Sequence, residues 1–329
     1  MLPPADDQPR PLVVVFNLAS GHGDADAIRQ TIERACCDAG RALVLLQVDR
    51  PRRLAQIARE AVARAQATQG VVVAAGGDGT INAVAQAVLG SGCTFGVLPH
   101  GTFNYFSRSH GIPDDVGSAM ALLLSGSAQP VQVGQVNDQV FLVNASLGLY
   151  PRLLENREQW KRQLGRSRWV AFCSGLLSLL RGHRSLCLRI DLQGRSHEVH
   201  TPTLFVANNP LQMTQLGIDL EQAMAEGALG ALVLRPVGTL RMLALLARGA
   251  LGRLGEADEV VKFAFTQLTV AKARAIGARR IKVATDGEVR VMRLPLSFRV
   301  APQPLLLIRP PSTTPQAEAK VDAAMPAPA

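Results

Sequence analysis

Four short apolar runs, at 12–16, 43–48, 71–75 and 94–98, are continuous rather than alternating. A strand with one wet face alternates, so strands that are apolar throughout must be covered on both faces. Helix-patterned segments separate them. In the first, 24–38, Ile28, Ile32 and Ala35 recur at three- and four-residue spacing; others cover 52–67 and the stretch from Thr80 to Leu89. The order β–α–β–α–β–α–β predicts a parallel sheet sheathed by helices. Another helical pattern covers 113–124, and 126–130 reads as a linker.

Beyond that linker the period changes. Strand candidates fall at 131–136, 140–144, 186–192, 197–203, 204–207, 229–234, 260–270 and 281–294. Many alternate and are joined by turns, which predicts a mainly antiparallel second domain. Helical insertions are expected at 160–180 and 238–251. The domain expectation is therefore a flexible start at 1–10, an α/β domain at 11–129, a β-rich domain at 130–309, and a disordered Pro-, Ala-, Ser- and Thr-rich tail at 310–329.

Composition narrows the function. With 47% apolar and 19% charged residues in 329 positions, the chain is globular, and 35 Lys and Arg against 26 Asp and Glu leave +9. Ten basic and three acidic residues fall between Arg152 and Arg195. Five cysteines with no CxxC pair point to a reduced, cytoplasmic setting rather than a disulfide framework. The first residues carry no apolar signal core, and no apolar run reaches the roughly 18 residues of a spanning helix. An integral membrane protein is excluded; a peripheral one on the inner face is not. Nucleic acid is not an expected partner, because no binding module is recognisable and aromatics make up only 4%. The histidines show no zinc-ligand spacing.

Gly76-Gly77-Asp78-Gly79-Thr80 joins a buried strand to a helix, at the sheet edge where ligands of such folds bind. Glycines admit close backbone approach, and a helix starting at Thr80 would offer an N-terminus to an anion. Asp78 suits a divalent cation or a hydroxyl rather than a bare phosphate. No GxxxxGK[ST] occurs, and Asp26 stands where a dinucleotide fingerprint needs its third glycine. Asn17, Ser20 and Gly21 form a polar loop after the first strand; Gly101, Thr102, Asn104 and Arg108 follow the fourth. Three such loops at successive strand ends make one cleft.

Asp286-Gly287 between two strands is the usual mark of a tight hairpin, which accounts for both residues. It does not account for Glu288, and two carboxylates at a hairpin tip could reach a substrate hydroxyl, one of them as base. Trp160, Lys161, Arg162, Arg166, Arg168 and Trp169 border the apolar stretch 170–180, which fits an anionic membrane surface or ordinary packing with a solvated basic face.

Taken together these segments resemble the bacterial diacylglycerol kinase-like lipid kinases, relatives of the diacylglycerol, sphingosine and NAD kinases. Residues 17–21 look like the family's NPxSG with Leu18 in the proline position, 76–80 match GGDGT in full, 98–108 are similar to LPxGTxNDFAR, and 286–288 look like a late DGE. The resemblance implies an N-terminal nucleotide-binding α/β domain, a C-terminal β domain, and ATP with Mg²⁺ between them. It implies transfer of the γ-phosphoryl group to a hydroxyl of diacylglycerol, a sphingoid base or a related lipid, within phospholipid metabolism. Gly76, Gly77, Asp78, Gly79, Thr80 and Thr102 then look like nucleotide contacts, Asp78 like a magnesium ligand through water, and Glu288 like the proton acceptor with Asp286 beside it. A lipid at an anionic membrane surface is the implied partner, with a homodimer left open. Three departures stand out: Tyr105 replaces the Asp of NDFAR, the strand ending at Val48 lacks a threonine beside the adenine pocket, and Glu226 in 225–229 stands where relatives place the Asp of a structural metal site. A soluble NAD kinase, or a degenerate nucleotide- or lipid-binding protein, are the alternatives.

Overall fold

The computed structural model describes residues 10–17, 25–149, 151, 185–273 and 280–311. The expectations for 1–9, for Ser20 and Gly21, for the 160–180 insertion and for the tail beyond 311 lie outside these residues.

The first half follows the apolar runs. Strands β1 (Leu12–Asn17), β2 (Leu43–Val48), β3 (Val71–Gly76) and β4 (Thr94–Pro99) alternate with helices α1 (Ala25–Asp38), α2 (Leu54–Thr68) and α3 (Asp78–Val88). The strands pair in parallel in the order β2-β1-β3-β4. Every residue of β3 and β4 is buried, as their unbroken apolar sequence requires. Two short elements follow, α4 (Tyr105–Ser109) and α5 (Val116–Ser125); the side chain of Asp115 caps α5 by accepting from the Ser118 N–H.

The expected linker is not one. Residues Ser127–Val131 form strand β5, which pairs antiparallel with the last strand, β18 (Leu305–Arg309), and β18 lies parallel to β4. The chain thus returns at its end to finish the first sheet, so a boundary at 129/130 divides a single sheet. Ser and Gln in this edge strand hid it from a pattern based on apolar runs.

The second half is a sandwich. One sheet has the order β10-β9-β14-β17-β6-β7 and the other β13-β12-β11-β8-β15-β16, built from β6 (Gly134–Val136), β7 (Gln139–Phe141), β8 (Asn144–Gly148), β9 (Leu186–Leu192), β10 (Arg195–Thr201), β11 (Thr203–Ala207), β12 (Leu229–Leu234), β13 (Val260–Phe265), β14 (Gln267–Lys272), β15 (Arg280–Thr285), β16 (Glu288–Arg293) and β17 (Leu296–Val300). All pairings within it are antiparallel. The long run 260–270 is two strands that change sheet at Thr266, and 140–144 is likewise divided between β7 and β8. Phe141, Leu147, Leu204, Leu268 and Phe298 fill the space between the sheets.

A smaller apolar layer lies on the outer face of β11 and β12, under α6 (Pro210–Gln215), α7 (Glu221–Ala225) and α8 (Thr239–Ala250). It explains why β12 does not alternate: Leu229, Ala231 and Val233 face the sandwich core, while Leu232 and Leu234 face Met213, Met224 and Met242.

Candidate active site

The parallel order puts the C-terminal ends of β1, β3 and β4 side by side, and their loops converge. The His100 N–H donates to the Gly76 carbonyl at 3.1 Å. A Cβ placed on Gly101 would lie 2.6 Å from the Gly77 Cα, so the two loops touch backbone to backbone. Only glycine permits that approach at Gly101, because the obstacle is main chain and cannot rotate away.

The helix begins earlier than expected. Gly77 is its N-cap and Asp78 its first residue, while Thr80 is buried in the first turn, accepting from the Asn17 amide at 2.8 Å. Asn17 and Thr80 therefore engage each other and tie β1 to α3. A Cβ on Gly76 would collide with the Thr80 side chain. Asn104 is also a builder of the loop. Held at φ +49°, it accepts from the Gly101 N–H at 3.0 Å and donates to Asp114 at 3.1 Å. Thr102 is exposed at the tip. Phe103 and Tyr105 stack nearly parallel, centroids 5.7 Å apart, so the tyrosine at the family's Asp position serves an aromatic pair.

Asp78 faces the start of α4, accepting from the Phe106 N–H at 3.4 Å. Burial pushes its carboxyl above the ordinary range; the N–H groups of Phe106, Tyr105 and Asn104 oppose that, and the charge of Asp114 adds to it.

From the other domain comes the hairpin β15–β16. Thr285 pairs with Glu288 around Asp286 (φ +46°) and Gly287 (φ +86°), the positive-φ pair of a two-residue type I′ turn. Its position is the central finding: a Cβ on Gly79 would lie 3.4 Å from Glu288 Oε1. The glycine-rich turn and the acidic hairpin thus share one gap. Glu288 is about half exposed and pairs with Arg290 at 2.9 Å.

Asp286 does something different from Glu288. Its Oδ1 accepts from the Val143 and Asn144 N–H groups at 2.9 Å each, and its Oδ2 accepts from the Leu142 N–H and the Asn82 amide at 2.7 Å each. Burial pushes this carboxyl up, against the pull of those donors. With four bonds made, the group clasps the hairpin to the turn before β8 and to α3, and leaves Glu288 as the more open carboxylate at the tip.

Sequence reasoning missed Asn82 and Gln86. Gln86 accepts from the Val140 N–H at 2.7 Å and from the Gln139 amide at 2.9 Å, and Gln139 in turn accepts from Arg290. Asp78, Asn82 and Gln86 stand at i, i+4 and i+8 on a helix whose one other polar side chain is Thr80, bonded to Asn17. That single polar line was the available signal for a face turned toward a second domain.

Glu226 lies apart. It is exposed, beyond the end of α7, and accepts from the Gln222 amide at 3.3 Å. Nearby, the Gln132 amide donates to Asn208 Oδ1 and to the Ala228 carbonyl, each at 3.0 Å. Both of these oxygens already accept from an amide N–H, and no group of three His, Cys, Asp or Glu suited to a metal occurs among the described residues. The residues here do not fit a structural metal. Asp78 does fit magnesium, which is commonly held by one or two carboxylates with phosphate oxygens and water.

Comparison with known proteins bears on the same two halves. Residues 11–136 match the diacylglycerol kinase catalytic domain, and 154–309 match the YegS C-terminal NAD kinase beta sandwich-like domain. The Pseudomonas aeruginosa protein named "Probable lipid kinase YegS-like" is 35% identical over 162 residues, 48% of this chain and 51% of that one. Its namesake in Klebsiella pneumoniae is 42% identical over 98 residues, 29% of this chain and 33% of the relative. These matches span a third to a half of the relatives' lengths. A crystal structure of a diacylglycerol kinase from Bacillus anthracis superposes with a TM-score of 0.66 at 18% identity, covering 92% of this chain and 97% of that one, a likeness of fold.

Proposed function

Since the chain belongs to the diacylglycerol kinase-like family, we propose that it is an ATP- and Mg²⁺-dependent kinase of a lipid hydroxyl, acting on diacylglycerol, a sphingoid base or a related amphiphile. The observation that carries this reading is the approach of Glu288 to Gly79, which sets a carboxylate beside the first turn of the helix behind the glycine loop. That helix end attracts phosphate through its backbone N–H groups and dipole. Asp78 would hold magnesium, which supplies charge neutralisation to the phosphates.

In the transfer, the lipid oxygen bonds to the γ-phosphorus as the bond to the bridging oxygen of ADP breaks, and the hydroxyl proton passes to Glu288. Arg290 sets the direction of the Glu288 carboxylate, and Asp286 fixes the turn that carries it. The reading places Asn17, Gly76, Thr80 and Asn104 in the scaffold of the nucleotide loops rather than in contact with the nucleotide.

The test is incubation of the whole protein with γ-labelled ATP and total lipid extract, diacylglycerol, a sphingoid base, or NAD. Label in a lipid phosphate is expected, falling roughly 10²–10⁴-fold in Glu288→Gln, the range of a lost general base. Label in NAD alone would assign the protein to the soluble kinases. Nucleotide binding with no labelled product on any acceptor would make it a binding protein, the reading that Tyr105 at the family's Asp position favours.

A further inference from the structure

Helix α8 is apolar on two faces. Met242 and Leu245 pack into the methionine-lined layer on β11 and β12. On the opposite side Leu240 is 84% and Leu251, just past the helix end, 73% exposed, more than any other large hydrophobic among the described residues. Leu240, Ala244, Ala247 and Leu251 recur at i, i+4, i+7 and i+11 and are all exposed. At about 100° per residue they fall within an arc of roughly 60°, and Arg241 and Arg248 line one flank of it. Residues 235–253 contain four arginines, at 235, 241, 248 and 253, and no acidic residue. Arg241 pairs with Glu259 at 2.5 Å; Arg235, Arg248 and Arg253 are also exposed.

The stripe is joined to the transfer gap. A Cβ on Gly217, at the end of α6, would run into the Gly252 carbonyl, and the Gly255 N–H donates to the Leu216 carbonyl at 3.1 Å. At its other end α6 carries Gln212, which accepts from the Asn144 amide at 2.9 Å; Asn144 is one of the backbone donors to Asp286. Leu211, beside Gln212, is itself 46% exposed. One short helix, about 9 Å long, links the two places.

We propose that this face of α8 is the membrane-docking surface: its leucines enter the acyl boundary of an anionic bilayer, its arginines meet lipid phosphates, and the gap is held near the headgroups. An apolar stripe edged by arginine has the chemistry of an interfacial helix. The assignment rests on the lipid-kinase reading for its purpose but not for its test.

Cosedimentation without ATP, using phosphatidylcholine vesicles with and without phosphatidylglycerol, reads docking alone. Wild type is expected to bind the anionic vesicles and to release at high salt. L240S/L251S should bind about tenfold or more weakly, and R248Q/R253Q should lose the preference for phosphatidylglycerol. Melting should be unchanged, because these side chains are exposed, and phosphorylation of a short-chain, detergent-dispersed diacylglycerol should survive both variants. Vesicle binding that L240S/L251S leaves intact would overturn the proposal. So would absence of wild-type binding together with a dimer, seen by sedimentation, that L240S/L251S dissolves. Docking without lipid phosphorylation would instead refute the kinase reading and leave the docking surface standing.

Discussion

Asp286 separates a positioning role from a chemical one more sharply than any other residue. Replacing it by Ala strands the N–H groups of Leu142, Val143 and Asn144, all in residues at most 5% exposed, while Asn82 keeps a second acceptor, the Val140 carbonyl at 3.2 Å. At about 1–3 kcal/mol for each stranded buried donor, the loss is roughly 3–9 kcal/mol. Relief of the buried carboxylate's desolvation and entry of water bring it toward the lower end, about 3–5 kcal/mol. That is a large part of a typical 5–15 kcal/mol stability. Asp286→Asn is the cleaner variant, because asparagine accepts the positive φ of the turn and keeps one oxygen for Val143 and Asn144. Its NH₂ then opposes the Leu142 N–H and the Asn82 amide, and about 2–3 kcal/mol should be lost. Urea denaturation measures both values, and transfer assays should show a rate that falls but stays measurable. If Asp286→Asn unfolds at the wild-type midpoint yet transfers nothing, the carboxyl takes part in the chemistry and the clasp argument is wrong.

Gly101→Ala brings a methyl within 2.6 Å of the Gly77 Cα, so the loops must part. Since about 1 Å of misplacement costs on the order of 10²-fold in rate, transfer should drop by that order while melting moves little, and a wild-type rate would mean the loops are not in contact. Burial, with the Arg309 charge adding to it, lowers the His110 pKa to about 4 from 6.5. The unfolded chain therefore takes up this proton first: the stabilisation is complete above pH 6.5 and is lost as pH falls toward 4, by about 3 kcal/mol at most. His110→Phe, which keeps the ring contact with Phe106, should remove that component from the pH dependence of urea midpoints; an unchanged dependence would place the titration elsewhere. Gln132→Leu leaves Asn208 Oδ1 and the Ala228 carbonyl without their donor and should cost about 2–3 kcal/mol. A chelator or Glu226→Ala should leave the melting temperature unchanged, and a drop with chelator would restore a structural metal to this region.

What could be read from the sequence depended on how local the cause was. Strand β3 declares itself because burial on both faces removes every polar residue, while β2, half-buried at the sheet edge with Gln47 exposed, is read from its apolar run alone; GGDGT declares itself because close backbone approach requires glycine. The edge strand β5 did not, since its pairing with β18 spans about 180 residues and its side chains are half wet. The same distance hid the clasp. Nothing around Asp286 says that its four donors come from 82 and from 142–144, so a turn and a catalytic pair looked equally good. Asn104, read as a ligand group, is consumed by the positive-φ turn it makes possible. Glu288 was legible for the opposite reason: a two-residue turn explains its neighbours and leaves it over.

These contacts also determine which parts of the molecule can move together. Glu288 is reached from α3 by two routes, Asn82 through Asp286 and Gln86 through Gln139 and Arg290. Helix α3 is the same element whose first turn forms the glycine loop. Glu288 and the glycine-rich turn are therefore referenced to one helix, although they lie about two hundred residues apart. A hinge between the domains that moved the hairpin would have to break the clasp, whereas α6 and α8 meet this frame through Gln212, the Arg241–Glu259 pair and the small apolar layer beneath them. On the proposed function the separation between Gly79 and Glu288 matters, since phosphoryl transfer draws its rate from positioning and charge more than from covalent help.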